Sequence, residues 1–278
     1  MSAEVFKTDA SALPDLLRPC WVSPPGVGAL MSLRGGGVSV APFASLNLSL
    51  GVGDEARAVH ENRRRWQHAL GVPFVGLRQV HGADVLRLTA EHLPIQAADS
   101  AAQNRLAPNL PTADAAWTTE RGLACQVGAA DCMPVLFALR DGSAVAAAHA
   151  GWRGLAAGVL ECTVQALCQG TGAHSTDLQV WLGPHIGPRQ FEVGVDVLAA
   201  FGHAPDTADT DRFVYRARAD ASPAWLANLA RLARDRLQSV GVTQVSAEPA
   251  CTVEDPSRFF SFRRDRVTGR MAAAIWRI

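Results

Sequence analysis

Four short apolar runs follow one another in the middle of this chain: Ala113–Thr118, Gly122–Gly128, Val135–Leu139 and Ser143–Ala148. Each has the length of a strand rather than a helix, and no helical periodicity separates them. Asp141-Gly142, between the last two, is a hairpin signal. Strands that follow one another through short turns pair antiparallel, so a fold of regularly alternating strands and helices is excluded here. Other strand candidates are Gly28–Arg34, two runs within Val75–Thr89 broken at His81-Gly82, Leu178–Leu182, Val245–Ala247 and Met271–Trp276. Helical patterns cover Glu55–Leu70 behind Asp54 as cap, Gly154–Gln169 closed by Gly170 and Gly172, Val193–Phe201, and Pro223–Val240 behind Ser222. Ala44–Gly53 alternates and reads as a strand or an ordered loop. Strands outnumber helices and come in runs, which points to a mixed α+β class.

No internal repeat or linker divides the chain. Residues 1–25 read as an irregular N-terminal segment with four prolines. Residues 97–112 are rich in Ala, Pro and Asn without periodicity and read as a surface insertion. With 48% hydrophobic and 19% charged residues the chain can bury a large core. Lys+Arg and Asp+Glu both number 26, so no basic field is present to hold nucleic acid or an anionic membrane. No apolar run reaches the length of a bilayer span, and no secretory leader pattern is visible. The six cysteines form no C-x-x-C pair and no regular framework. The expectation is a soluble, cytoplasmic protein that partners neither nucleic acid nor membrane. Its oligomeric state is not legible.

The residues most suggestive of chemistry stand where apolar runs meet turns: His81 in Gln79-Val80-His81-Gly82, Cys132 in Ala130-Asp131-Cys132-Met133-Pro134, and His149 in His149-Ala150-Gly151-Trp152-Arg153-Gly154. Two imidazoles and a thiolate suit a borderline ion such as zinc, and three protein ligands leave a fourth position open for catalysis. Against this stands the ordinary reading of a free cysteine as a small core residue, which we apply to Cys125, Cys162 and Cys168. His149 also has a competing reading as a buried structural histidine. Asp131 and Asp84 are placed to orient a ligand histidine, and Asp131 to move protons; the competing reading of Asp131 is a turn residue bonding local N–H groups. Arg153, in a glycine-flanked turn, is a candidate phosphate contact. Arg34, Arg263 and Arg264 lie near other turns and compete with plain surface charge. Among Phe259, Phe260 and Phe262, spacing does not separate core residues from a surface that stacks on a flat heterocycle. No G-x-S-x-G, Walker A or strand-linked G-x-G-x-x-G motif is present, nor the H-x-E with P-C-x-x-C of zinc cytidine deaminases. Met133 beside the trio also matches a blue-copper ligand set. A multicopper oxidase, however, needs paired histidines for its trinuclear cluster, and the eight histidines here contain no H-x-H.

Together with Ser45-Leu46-Asn47-Leu48, Gly183-Pro184-His185-Ile186-Gly187-Pro188, Phe191-Glu192-Val193-Gly194 and Phe260-Ser261-Phe262-Arg263-Arg264-Asp265, these motifs resemble the laccase-domain family, from about Gly28 to the C-terminus. Its members have been called multicopper polyphenol oxidases, peptidoglycan editing factors and, more recently, purine nucleoside phosphorylases with adenosine deaminase activity. The resemblance implies a single α+β domain over residues 1–278, with mixed sheets layered between helices, related to a deamidase toxin fold. It implies metal ligands at His81, Cys132 and His149, and cleavage of adenosine, inosine, guanosine and methylthioadenosine by phosphate. This chain departs from the family in carrying Phe191 and Phe262 where Tyr is frequent, Gln190 where Cys or a small residue is common, and His185 where a small residue is usual.

On that footing the leading expectation is a zinc enzyme, with copper as the other candidate ion. Catalysis falls to Cys132, His81, His149 and Asp131. Arg34, Arg153 and one of Arg263 and Arg264 supply positive charge, while Asn47 and Gln79 hydrogen-bond nucleoside or phosphate. The rivals are a cysteine hydrolase or amidase acting in peptidoglycan editing with Cys132 as nucleophile, a copper-dependent polyphenol oxidase, and a non-catalytic nucleoside-binding or partner module.

Overall fold

The computed structural model describes residues 14–93, 110–205 and 211–278. In chain order the elements begin with β1 (Leu16–Leu17), β2 (Val27–Ser32), α1 (Ala56–Leu70), β3 (Val85–Arg87), β4 (Ala115–Thr118), β5 (Ala124–Ala129), β6 (Met133–Leu139) and β7 (Val145–Ala150). They continue with α2 (Trp152–Ala156), α3 (Val159–Thr171), β8 (Leu178–Leu182), β9 (Glu192–Val193), α4 (Val195–Ala200), β10 (Phe213–Tyr215) and β11 (Trp225–Ala227). The last are α5 (Leu229–Ser239), β12 (Gln244–Ala247), α6 (Phe262–Asp265) and β13 (Met271–Arg277).

The strands form a six-stranded mixed sheet ordered β12-β8-β6-β7-β4-β3 and a four-stranded sheet ordered β1-β2-β13-β5. A small three-stranded sheet, β10-β11-β9, lies apart from both. The central strands of the large sheet pair antiparallel, while its two edges, β12 on β8 and β3 on β4, are parallel. The run of consecutive strands therefore behaves as expected at β6–β7, a hairpin through Asp141-Gly142 with Phe137 opposite Ala146.

Side-chain alternation explains the layering, because successive residues of a strand face opposite ways. On β6, Met133, Val135, Phe137 and Leu139 join the core beneath the helices with Leu155, Leu160, Val164 and Leu232. Leu136 and Ala138 turn the other way, against Val127, Met271, Ala273 and Ile275 of the four-stranded sheet. On β13, Ala272, Ala274 and Trp276 face outward and are covered by Trp66 and Leu70 of α1. The result is helix, sheet, sheet, helix in one domain, matching the expected α+β class. Phe137 is fully buried between layers, so its truncation to Ala would cost about 3–5 kcal/mol.

Local departures from the sequence reading have identifiable causes. The helix expected at Gly154–Gln169 starts at Trp152 and breaks at Gly158, whose φ of +92° is left-handed. The helix expected over Pro223–Val240 begins only at Leu229, capped by the Asn228 side chain on the Arg231 N–H. Residues Trp225–Ala227 instead form β11, which buries Trp225 and Ala227. Asp54 does not cap α1: its carboxylate accepts the Ser39 hydroxyl and the Asn47 amide, and the helix starts after Glu55. Within Val75–Thr89 only Val85–Arg87 is a strand, because side-chain bonds hold the preceding residues as a loop. Ala44–Gly53 is an ordered loop with Leu46 and Leu48 buried. Of the N-terminal segment, Leu16–Leu17 pairs with β2. The insertion expected at 97–112 lies outside the described residues up to 109.

Candidate metal centre

His81, Cys132 and His149 come from three different places in the fold and meet. His81 sits in the turn before β3, Cys132 in the turn between β5 and β6, and His149 within β7 opposite Pro134. Cys132 Sγ lies 3.8 Å from His81 Nε2, and the three donor atoms all fall within 4.8 Å of one another. The His81 and His149 rings stand edge to face with centroids 4.8 Å apart. Tetrahedral zinc with such ligands places donor atoms roughly 3.4–3.6 Å apart, so small side-chain rotations bring this trio onto one ion. Among the described residues it is the one group of three or more His, Cys, Asp or Glu side chains whose donors converge this way. His149 is only 4% exposed, Cys132 is half-buried and His81 is exposed. The centre is thus closed by protein on one side and open on the other.

Two of the turns hold non-glycine residues at positive φ: His81 at +62° and Asp131 at +90°. Such backbone persists only when neighbours over-determine it. For His81 that neighbour is Asp114, at the entry to β4. Its fully buried carboxylate accepts the backbone N–H groups of Val80, His81 and Gly82 at 3.1, 2.9 and 2.7 Å. It also meets His149 Nδ1 at 2.9 Å. One acid therefore holds both histidine ligands, presenting His149 through its other nitrogen. Asp114, rather than Asp131 or Asp84, orients the ligand histidine. The signal in the sequence was an acid inside the apolar run 113–118.

Asp131 does a different job. Its two oxygens accept the Thr252 hydroxyl and the Arg263 N–H, both at 2.6 Å, fixing the turn that carries Cys132. Glycines also shape the centre. A Cβ on Gly151 would stand 2.8 Å from Cys132 Sγ and 2.9 Å from His81 Cδ2, and one on Gly154 would stand 2.9 Å from the Gly82 carbonyl. Only glycine lets the start of α2 close on the ligands.

The electrostatics fit a site that keeps Cys132 ionised. Burial alone pushes the Cys132 thiol up, but hydrogen bonds from His149 and His81, and their charge, outweigh it and bring the pKa to about 6. Burial likewise disfavours a charged His149, yet bonds to Asp114 and Cys132 raise it to about 9. Burial of Asp114 opposes its charge, and the His149 bond with three backbone N–H donors still holds it below the ordinary carboxylate range. The donor set thus presents a thiolate with an imidazolium at His149 that would have to lose its proton to ligate, a chemistry that zinc, by displacing that proton, suits.

The other candidates are distributed unevenly. Gln79 pairs both ends of its amide with the Gly128 backbone, bracing the His81 loop. Asn47 is fully buried, and its amide spends all four bonds on Ser49, Asp54 and Arg270, so it has none to offer a substrate directly. Arg264 is consumed by Asp265 and by the Thr252, Val253 and Phe259 carbonyls. Arg263 donates to the Gln190 and Glu192 carbonyls and lies over Phe191. Arg34 holds the Ala44 and Pro256 carbonyls over Phe260. Arg153 is exposed and lies over its neighbour Trp152. Phe259 and Phe260 are core residues, while Phe262 is 48% exposed.

Sequence reasoning passed over Arg270. Its half-buried guanidinium is anchored on the Thr268 and Gly269 carbonyls and lies over the Phe262 ring. Burial lowers its pKa, opposed by the charges of Cys132 and Asp131. It is a cation within electrostatic reach of Cys132 and Asp131, and among the described residues it makes no direct ion pair. Its only sequence signal was a position seven residues past Arg263 and six past Arg264, next to Gly269.

Layered sheets between helices, with an open His-Cys-His centre at the strand ends, define the class to which this protein belongs. The chain is a member of the family described as multi-copper polyphenol oxidoreductase laccase, which matches residues 28–278. It is 45% identical over 265 residues to a protein of Escherichia coli named purine nucleoside phosphorylase YfiH, spanning 95% of this chain and 99% of that one. A Pseudomonas aeruginosa protein, also named a purine nucleoside phosphorylase, is 46% identical over 94% of this chain and 97% of its own. A crystal structure of a Neisseria meningitidis protein superposes with a TM-score of 0.79 at 40% identity, covering 94% of this chain and 98% of that one. YlmD from Geobacillus stearothermophilus gives 0.79 at 32% identity, with 91% and 92% covered.

Proposed function

We propose that this protein is a zinc-dependent purine nucleoside phosphorylase with adenosine deaminase activity. Its substrates are adenosine, inosine, guanosine and methylthioadenosine with inorganic phosphate. The observation that carries the reading is the convergence of His81, Cys132 and His149 with one side open to solvent. The names of relatives above 40% identity support the phosphorylase part of that reading. His81, Cys132 and His149 would hold a zinc ion, which when bound would supply Lewis acidity and the acidification of water that deamination requires.

The protein's own groups divide the remaining work. Phosphorolysis brings a phosphate oxygen to the anomeric carbon while the bond to the purine nitrogen breaks and the base departs with a proton. Arg270, beside Cys132, is the cation best placed to hold the phosphate. Exposed Arg153 is a second phosphate contact. Phe262 offers an exposed flat face for the base. Asp131 and Asp114 hold the turns, and neither needs to touch substrate. All six cysteines are free, as the cytoplasm would keep them. No described helix is long and apolar enough to cross a membrane.

The test is zinc-loaded protein with adenosine, with and without phosphate, its products separated by chromatography. Adenine formed only with phosphate, inosine formed without it, and loss of both in Cys132→Ala are expected. Absence of both products from the loaded wild type refutes the proposal. The Cys132–His149 pair, with its thiol pulled down and imidazole pulled up, also favours a second reading as a cysteine hydrolase. That reading requires hydrolysis to survive zinc removal and to be lost on alkylation of Cys132. Copper chemistry of the multicopper kind would need a further ligand cluster, and none converges among the described residues.

A further inference from the structure

A cleft of about 410 Å³, lined by none of His81, Cys132 and His149, lies between the Gly183–Arg189 loop, the segment 247–254 and α5. His185 and Cys251 both line it, and they are partners in an isolated parallel bridge. Residues directly opposite in a bridge carry their side chains on the same face, with Cβ atoms roughly 5 Å apart. The imidazole and the sulfur therefore leave the backbone on the same face and line the same cleft. His185 is only 5% exposed. Its Nδ1 lies 2.8 Å from the Gly183 carbonyl, which can only accept, so Nδ1 carries the hydrogen and Nε2 the lone pair. Among the described residues Nε2 has no protein partner. Burial lowers the pKa of this ring, so it stands neutral with Nε2 unprotonated. The Gly187 N–H points at Cys251 Sγ from 3.1 Å and would hold negative charge there.

The rest of the cleft has the marks of a zwitterion site. Arg234 uses one N–H on the Val245 carbonyl and, among the described residues, has no acidic partner. Glu248 lines the same cleft, and among the described residues its carboxylate is unpaired. An α-amino acid head group, with one carboxylate and one ammonium, complements this pair.

We propose that the cleft is a thiol-modification site, where Cys251, with His185 as base, takes up one half of a cystine-like disulfide. The Cys251 proton passes to His185 Nε2, and the sulfur attacks one sulfur of the incoming disulfide. A new S–S bond forms as the old one breaks. The Cys251 sulfur is oxidised, and the departing half leaves as a thiol with the proton from His185. The metal centre takes no part, so this inference stands apart from the function proposed for it.

The experiment treats zinc-loaded, full-length protein with cystine, or with the neutral hydroxyethyl disulfide, and follows adducts at each cysteine by peptide mass mapping. Exposed Cys20 is the unassisted reference. The expected result is reaction at Cys251 about a hundred-fold faster than at Cys20, the lower range of general-base assistance. His185→Asn removes most of that advantage and leaves Cys20 unchanged. Arg234→Ala slows the reaction with cystine but not with the neutral disulfide. Equal rates at Cys251 and Cys20 in the wild type overturn the proposal, as does a Cys251 rate unchanged in His185→Asn. Should His185→Asn fail to fold, the wild type and Arg234→Ala decide it: a Cys251 that prefers cystine only with Arg234 present supports the site, and no preference refutes it.

Discussion

Replacing Asp114 with Asn tests whether one buried carboxylate assembles the centre. The side chain is almost isosteric, so packing around it is preserved. Its two oxygens receive four N–H donors, from Val80, His81, Gly82 and His149. An amide can accept at only one end, so two of these buried donors would face an NH₂ group. Leaving a buried donor unpaired costs about 1–3 kcal/mol, so about 2–6 kcal/mol is expected for the two. Part of that cost releases the left-handed turn at His81, and part frees the His149 ring. Loss of a group that orients a ligand typically weakens metal binding about 10–100-fold. The assay is zinc competition against a chromophoric chelator, with thermal melts of metal-free and loaded protein. Two changes are expected: a lower metal-free melting temperature, and a smaller gain on adding zinc, by about 1.4–2.8 kcal/mol for that loss of affinity. Asp131→Asn is the control, since Asp131 bonds Thr252 and Arg263 instead of the histidines; its zinc affinity should stay close to wild type. A folded Asp114→Asn protein with wild-type zinc affinity would refute the reasoning.

In metal-free protein Cys132 ionises near pH 6, so iodoacetamide should label it slowly below that pH and quickly above it, and bound zinc should protect it; a labelling midpoint near that of a free thiol would contradict the assignment. Gly151→Ala puts a methyl group 2.8 Å from Cys132 Sγ, and chelator competition should show zinc affinity reduced by about ten-fold or more. Arg270→Ala should raise the phosphate KM about ten-fold or more with zinc content unchanged, and Arg270→Lys should recover part of it; steady-state phosphorolysis at varied phosphate reads the difference.

The layered fold was legible where periodicity was strong. The runs at 135–139 and 143–148 became β6 and β7 because alternating faces had somewhere apolar to go on both sides. The region 223–240 misled because Ala224, Trp225 and Ala227 suit a helical stripe as well as a strand, and tertiary burial of Trp225 decided between them. The metal trio was legible because soft ligands at turns are rare without a purpose. The support beneath it was not. Asp114 and Arg270 act through partners distant in sequence, and local spacing carries no trace of Arg270 lying beside Cys132. Asn47 and Arg264 mislead in the opposite sense: they belong to the recognisable motifs, yet their polar groups are spent inside the protein.

Two acids flank the centre, and their bonding partners separate what each is for. Asp114 binds the backbone of one histidine ligand and the ring of the other, so its charge is coupled to the state of the site. In the metal-free protein it stabilises the imidazolium that His149 becomes on taking the Cys132 proton, and that charge in turn stabilises the thiolate. Were both histidines to serve as neutral metal ligands, the same carboxylate would act on a positive ion through His149 instead. Asp131 binds a hydroxyl and a backbone N–H that do not titrate, and its left-handed turn fixes where the sulfur starts. Metal uptake by the trio would therefore be felt at Asp114 and not at Asp131. A carboxylate facing three backbone donors has little freedom to rotate, which is why the centre can stay open on its solvent side without losing its shape.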